Sequence, residues 1–153
     1  MTATYDADLQ LFIDGAWRSG EGRDERPVYN PATAGTIAEL PVATAADLDE
    51  ALAAAERGWP VWRAKTADER AALMHKAAGI IRERVEHIAT LLTLEQGKPI
   101  AEARGEVLSA AGLLAYFAEQ GKRIEGRVLQ RPLGQRAMVT KHPVGPVAGF
   151  SPW

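Results

Sequence analysis

Serine, histidine, lysine and carboxylate side chains are the reactive groups this 153-residue chain has to offer, because it contains no cysteine. That excludes disulfides, thiolate metal sites and a cysteine nucleophile within these residues. Gly149-Phe150-Ser151-Pro152-Trp153 has the outline of a nucleophile elbow, where a serine stands exposed on a sharp strand-to-helix turn. Trp153 occupies the place of the required last glycine, and Pro152 removes a backbone donor, which argues against a serine hydrolase. The three histidines, His75, His87 and His142, have no metal-ligand spacing. His75 and His87 read as solvent-edge helix residues, and His142 falls in an extended arm.

Glu95, Glu102 and Glu106 could be taken for catalytic carboxylates. On a helix, positions 102 and 106 share a face, where like charges repel, so solvent exposure is the simpler reading. Gly20-Glu21-Gly22 lacks the remaining glycine of a dinucleotide fingerprint and precedes no helix, so it is a loop. Gly97-Lys98 and Gly121-Lys122 lack the earlier glycine and the following Ser/Thr of a phosphate loop, and both read as helix ends.

The elements that would position these groups are legible in the spacing. Asp14-Gly15 between Leu11-Phe12-Ile13 and Ala16-Trp17-Arg18 is a hairpin signal. Ser19 to Glu25 is a loop, and 26–29 and 36–42 read as strands around the turn Asn30-Pro31-Ala32-Thr33-Ala34-Gly35. Thr44 to Asp47 starts a helix that places Leu48, Ala51, Leu52 and Ala55 on one face and ends at Gly58. Thr66-Ala67-Asp68-Glu69 is a capping box, behind which Leu73, Ala77, Ile80, Ile81, Ile88, Leu91 and Leu92 keep helical spacing. Gly97-Lys98-Pro99 stops that helix, and Pro99 suits the first turn of the next. The last helix carries Ala103, Val107, Ala110, Ala111, Leu114, Phe117 and Ala118 on one side. Gly105 and Gly112 weaken it by roughly 1 kcal/mol each, so close packing against a neighbour is expected there. Residues 127–141 form two extended arms around Pro132-Leu133-Gly134-Gln135, whose Val, Leu and Met content favours strand pairing with another subunit. Val147 to Phe150, entered through Gly145-Pro146, reads as a buried strand of a parallel sheet. Trp17, Trp59 and Trp62 read as packing residues.

A formal net charge of −2 gives no electrostatic reason to expect nucleic acid or an anionic membrane as partner. No apolar run approaches the ~20 residues that span a bilayer, and the first residues have neither basic nor apolar signal-peptide regions. A cytoplasmic location is the expectation.

Taken in order, several blocks resemble the NAD(P)-dependent aldehyde dehydrogenases. They are Leu11 to Trp17, Tyr29-Asn30-Pro31-Ala32-Thr33, Trp62, Asp68-Glu69-Arg70, Leu94-Glu95-Gln96-Gly97-Lys98-Pro99, Glu102-Ala103, Gly105-Glu106-Val107, Phe117 to Arg123, Gly126, and Pro143 to Trp153. The helical stretch is most similar to enzymes acting on succinate or 2-oxoglutarate semialdehyde. One departure is Ala34, which stands where the family usually has glycine, with Gly35 following it. The local turn geometry is therefore in question.

The resemblance implies an α/β fold. Residues 1–126 would be the N-terminal strands and helices of a Rossmann-like cofactor domain, 127–142 a β arm for homo-oligomerisation, and 143–153 the first strand of the cofactor sheet. It also implies a mechanism: a cysteine thiolate attacks the aldehyde, hydride passes to the nicotinamide, and a glutamate-activated water hydrolyses the thioester. The family places its oxyanion-holding asparagine directly after the Pro-Trp pair, and the cysteine and glutamate later still. Of the cofactor site the resemblance assigns only Phe150, Ser151, Pro152 and Trp153, near the nicotinamide ribose of NAD or NADP. Glu95 would stand near a monovalent-cation site seen in some relatives. The expectation is an N-terminal fragment of an enzyme that oxidises a small aldehyde, inactive by itself. The competing expectation is a non-catalytic helical oligomerisation or interaction module.

Overall fold

The computed structural model describes residues 4–151. Strands β1 (Leu11–Ile13) and β2 (Ala16–Arg18) pair antiparallel, Phe12 opposite Trp17. The turn between them has positive φ at both Asp14 (52°) and Gly15 (79°), the geometry an Asp-Gly pair favours because it matches the right-handed strand twist. Ile13 is buried, whereas Phe12 and Trp17 pack in a tilted pair, ring centroids 4.8 Å apart, on the exposed face. Trp17, expected as a packing residue, is 68% exposed.

Strands β3 (Glu25–Tyr29) and β4 (Thr36–Pro41) form a second antiparallel pair, with a register shift at Val28/Tyr29. The Asn30 side-chain oxygen accepts from Ala32 N–H (2.9 Å), and the Asn30 carbonyl accepts from Ala34 N–H (2.8 Å). Ala34 itself takes a left-handed conformation, φ 55°. The turn keeps a conformation that suits glycine and accepts a cost of about 1–2 kcal/mol to do so.

Four helices follow. α1 (Ala45–Ala64) begins with the capping box Thr44/Asp47 but does not end at Gly58; it runs on through Pro60. Proline removes one helical donor, leaving the Glu56 carbonyl without its usual partner. Both Glu56 and Pro60 lie on the exposed side, where water can take that carbonyl. α2 (Ala67–Glu83) starts at the Thr66/Glu69 capping box and breaks at Arg84, and α3 (Val85–Gln96) stops at Gly97, φ 73°. A Cβ at Gly97 would lie 2.9 Å from Pro31 Cγ, so glycine is required both by the backbone and by the turn pressed against it. α4 (Ile100–Gln120) begins after Pro99, not with it. Pro99 has an extended ψ of 136°, and its carbonyl accepts the first helical N–H groups, from Glu102 and Ala103.

α2 and α4 run antiparallel, as the pairs Asp68–Lys122, His75–Glu119 and Arg82–Ala111 show. Ala71 and Ala78 of α2 and Ala111 and Ala118 of α4 are buried on these two helices; small side chains let helix axes approach closely. α3 closes the other side, burying Ala89 and Leu92 with Ala103 and Val107, flanked by Ile81, Val85, Ile88 and Ile100. Leu73, Ile80 and Phe117, expected to face inward, are substantially exposed. Each helix carries two adjacent apolar stripes, and the seam forms along the stripe of small residues. Leu48 and Leu52 of α1 are likewise exposed. A Cβ at Gly105 or Gly112 would meet nothing within 4 Å, so the expected close packing at these glycines is absent among the described residues.

Beyond a single helical turn at Gly121–Arg123, β5 (Arg127–Gln130) and β6 (Arg136–Val139) pair antiparallel around Gly134, φ 86°. Gly126 admits this pairing, since a Cβ there would fall 2.5 Å from the Val139 carbonyl oxygen. The strand expected after residue 143 is not formed between 143 and 151. A strand needs a hydrogen-bonded neighbour, and the described chain places none beside these residues. All three sheets are two-stranded and antiparallel among the described residues.

Candidate cofactor-binding segment and its surroundings

β6 feeds an extended segment. The Thr140 hydroxyl and His142 ring meet at 3.0 Å, and Gly145, φ 109°, turns the chain between two prolines. The chain then reaches Phe150, 96% exposed, and Ser151, also exposed. Pro152 and Trp153, the other two residues assigned to cofactor contact, lie outside the described residues. Gly149 has open space where a Cβ would be. Both described residues of the pair are thus solvent-accessible.

The other sequence candidates are not brought to this segment. Glu95 accepts from the Tyr5 hydroxyl, whose pKa is pushed above its usual value by burial and then by Glu95 itself. Glu106 pairs with Lys98 and is half-buried, so its expected solvent exposure is corrected. Lys98, two residues before the first residue of α4, supplies the counter-charge that the (i, i+4) carboxylate pair lacks. Glu102 is exposed. His75 lies 2.7 Å from Glu119, and His87 lies 3.6 Å from Asp6, both at the solvent edge as expected. No group of three metal-ligating side chains occurs among the described residues. No helix there is long and apolar enough to cross a membrane.

Two arrangements escaped the sequence reading. Asp47, cap of α1, also receives Arg23 Nε (3.1 Å) and Nη2 (2.7 Å) and is buried. Arg23, followed by the Thr44 backbone and hydroxyl, holds the Asp47 carboxyl well below the usual carboxylate range. The Thr44–Asp47 spacing signalled the cap, but nothing local pointed to an arginine in the loop before β3. The second is a groove of about 740 Å³ between the end of α1, the start of α2 and the segment after β6. Its lining residues are scattered over more than eighty positions, so no motif announces it.

With the fold in hand, the comparisons agree with the sequence resemblance. Residues 17–153 match the sequence model of the aldehyde dehydrogenase family. The chain is 46% identical over 145 residues to the 4-(hydroxymethyl)benzenesulfonate dehydrogenase TsaD1 of Comamonas testosteroni, covering 94% of this chain and 30% of that protein. It is 39% identical to the succinate semialdehyde dehydrogenase of Acinetobacter baylyi, again over 94% of this chain and 30% of that protein. The crystal structure of succinate-semialdehyde dehydrogenase from Burkholderia pseudomallei superposes with a TM-score of 0.77 at 39% identity, covering 81% of this chain and 26% of that one. The chain therefore spans about 30% of the length of the curated relatives it matches. A helical layer, hairpins and terminal segment that follow one family's order from residue 17 onward leave one assignment: the chain belongs to the aldehyde dehydrogenase family.

Proposed function

We propose that the whole protein oxidises an aldehyde carrying a remote carboxylate, of the succinate-semialdehyde type, using NAD or NADP. These 153 residues would supply scaffold and one wall of the cofactor site. The observation carrying this is the in-order family match over residues 17–153 of a sequence without cysteine. The match supports the reaction class; the missing thiol means the attacking group is not among these residues. NAD(P) would supply the hydride acceptor. Phe150 and Ser151, both exposed, would shape its approach together with Pro152 and Trp153.

The acidic substrate is supported by the name of the Acinetobacter relative. A second reading, a sulfonated aldehyde, is favoured by the sulfonate in the name of the 46%-identical Comamonas protein. In the same reading, residues 127–142 serve assembly. Val128 and Met138 of the β5–β6 hairpin are 72% and 73% exposed, apolar surface suited to another copy of the chain. A cytoplasmic location belongs to this reading as well.

The test is an assay of the purified 153-residue chain with succinate semialdehyde and a sulfonated aldehyde, each with NAD and NADP. No cofactor reduction is expected, and reduction above background would sink the proposal that the reacting groups lie elsewhere. Light scattering on the same sample checks the arm, with a defined oligomer expected and a strict monomer counting against it.

A further inference from the structure

The groove at the junction of α1, α2 and the post-β6 segment has a chemistry the proposed oxidation does not use. Four basic side chains line it, Arg63, Arg70, Lys122 and Lys141, and no carboxylate does. In a chain of net charge −2, that is a strong local excess of one sign. Part of it is already engaged. Arg70 donates to the Lys65 carbonyl, and Lys122 lies 3.3 Å from both Asp68 and Glu119, which raise its pKa. Arg63 and Lys141 make no such side-chain contact among the described residues, and they come from two separate elements, α1 and the segment after β6.

Two indoles, Trp59 and Trp62, also line it, beside His142 and Ile124; Trp62 is 40% exposed and Trp59 half-buried. Flat π faces beside guanidinium and ammonium groups suit a ligand with both a planar part and several negative charges. A volume of about 740 Å³ falls within the usual range for small-molecule sites. The groove includes Lys141 and Pro143, at the start of the terminal segment, whereas the residues assigned to the nicotinamide begin at Phe150.

We propose that this groove is a polyanion site that takes a phosphorylated small molecule, with Arg63 and Lys141 as its primary charge contacts. Arginine offers a bidentate fork to phosphate, and lysine offers a point charge. A ligand of several charges would also draw Lys122 away from Glu119. The site does not depend on the proposed oxidation, because none of its residues contributes to the cofactor wall.

The test is a titration of the 153-residue chain at low ionic strength, followed by the tryptophan indole N–H signals in NMR. One arm uses inorganic tripolyphosphate and the other adenosine triphosphate. Saturable shifts at Trp59 and Trp62 are expected, with Trp17 unmoved. Tighter binding of the nucleotide assigns the ligand to a nucleoside phosphate, and equal binding to a phosphate-bearing ion without a base. Arg63→Gln with Lys141→Gln should weaken either ligand by roughly tenfold or more, the scale of a charge-assisted hydrogen bond. Glu119→Gln, which leaves Lys122 only Asp68 as a paired carboxylate, should tighten it, and this variant decides the matter if the double variant fails to fold. Absence of saturable shifts, shifts shared equally by Trp17, or unchanged affinity in the variant that folds overturns the proposal.

Discussion

The α2–α4 layer and the stretch from β5 to Ser151 both carry many apolar residues yet end in opposite conditions. The layer holds eight of the eleven buried residues among those described, and most of the eight are alanines held between helices. In the stretch after Gly126, Val128, Leu133, Met138, Val144, Val147 and Phe150 are all exposed, and no residue is buried among those described. The difference lies in where the partner surface comes from. A helix completes its own backbone hydrogen bonds and needs only one covering face. An inner strand needs neighbours on both edges and cover on both faces. The layer finds its partners among its own helices; the terminal stretch does not find them within the described chain.

This contrast can be broken at several points. Leu92→Ala, inside the α3–α4 cluster, should lower unfolding free energy by about 2–5 kcal/mol in urea denaturation; a loss below about 1 kcal/mol would mean the layer is loosely packed. Gly97→Ala should cost about 1–2 kcal/mol for the left-handed backbone, plus whatever the clash with Pro31 adds. Little change would show that the β3–β4 turn does not rest on the layer.

Acid titration probes the fastening of α1. The Asp47 carboxyl is depressed in the folded state, so its contribution is complete above the unfolded value of about 4 and is lost as pH falls through the folded value. Asp47→Asn should lower Tm at neutral pH and flatten the acid limb of Tm against pH. An acid limb identical to that of the parent chain would assign that limb to other carboxylates. The smallest effect is expected in the terminal stretch, where Val147→Ala should stay within about 0.5 kcal/mol of the parent chain. A larger loss would show that this residue is covered in solution, against its 79% exposure here.

Local signals carried much of the fold. Asp14-Gly15 gave the first hairpin, Thr66 with Glu69 gave the start of α2, and Gly97 gave the end of α3, because each is settled by backbone preferences within a few residues. Gly58 misled for the same reason, since glycine and proline punctuate only where the chain has no better way to satisfy its carbonyls, and α1 continues past both. The choice of buried stripe was not legible. Leu73 and Ile80 have more area to bury than Ala71 and Ala78, but the seam turns on how closely α4 can approach, a property of two helices together. Phe150 and Ser151 enter the candidate site only through resemblance to the family, while Arg23–Asp47 and the cationic groove depend on residues far apart in sequence.

Every strand in the described chain pairs with the strand next to it in sequence, and α3 lies against the helix that follows it. Such nearest-neighbour closure carries little loop-entropy cost, so folding of the layer is expected on a timescale of about milliseconds or faster. Synthesis proceeds at roughly 5–20 residues per second. Each hairpin therefore has time to close while the next is still being made, and α2 has only α3 to wait through before its antiparallel partner arrives.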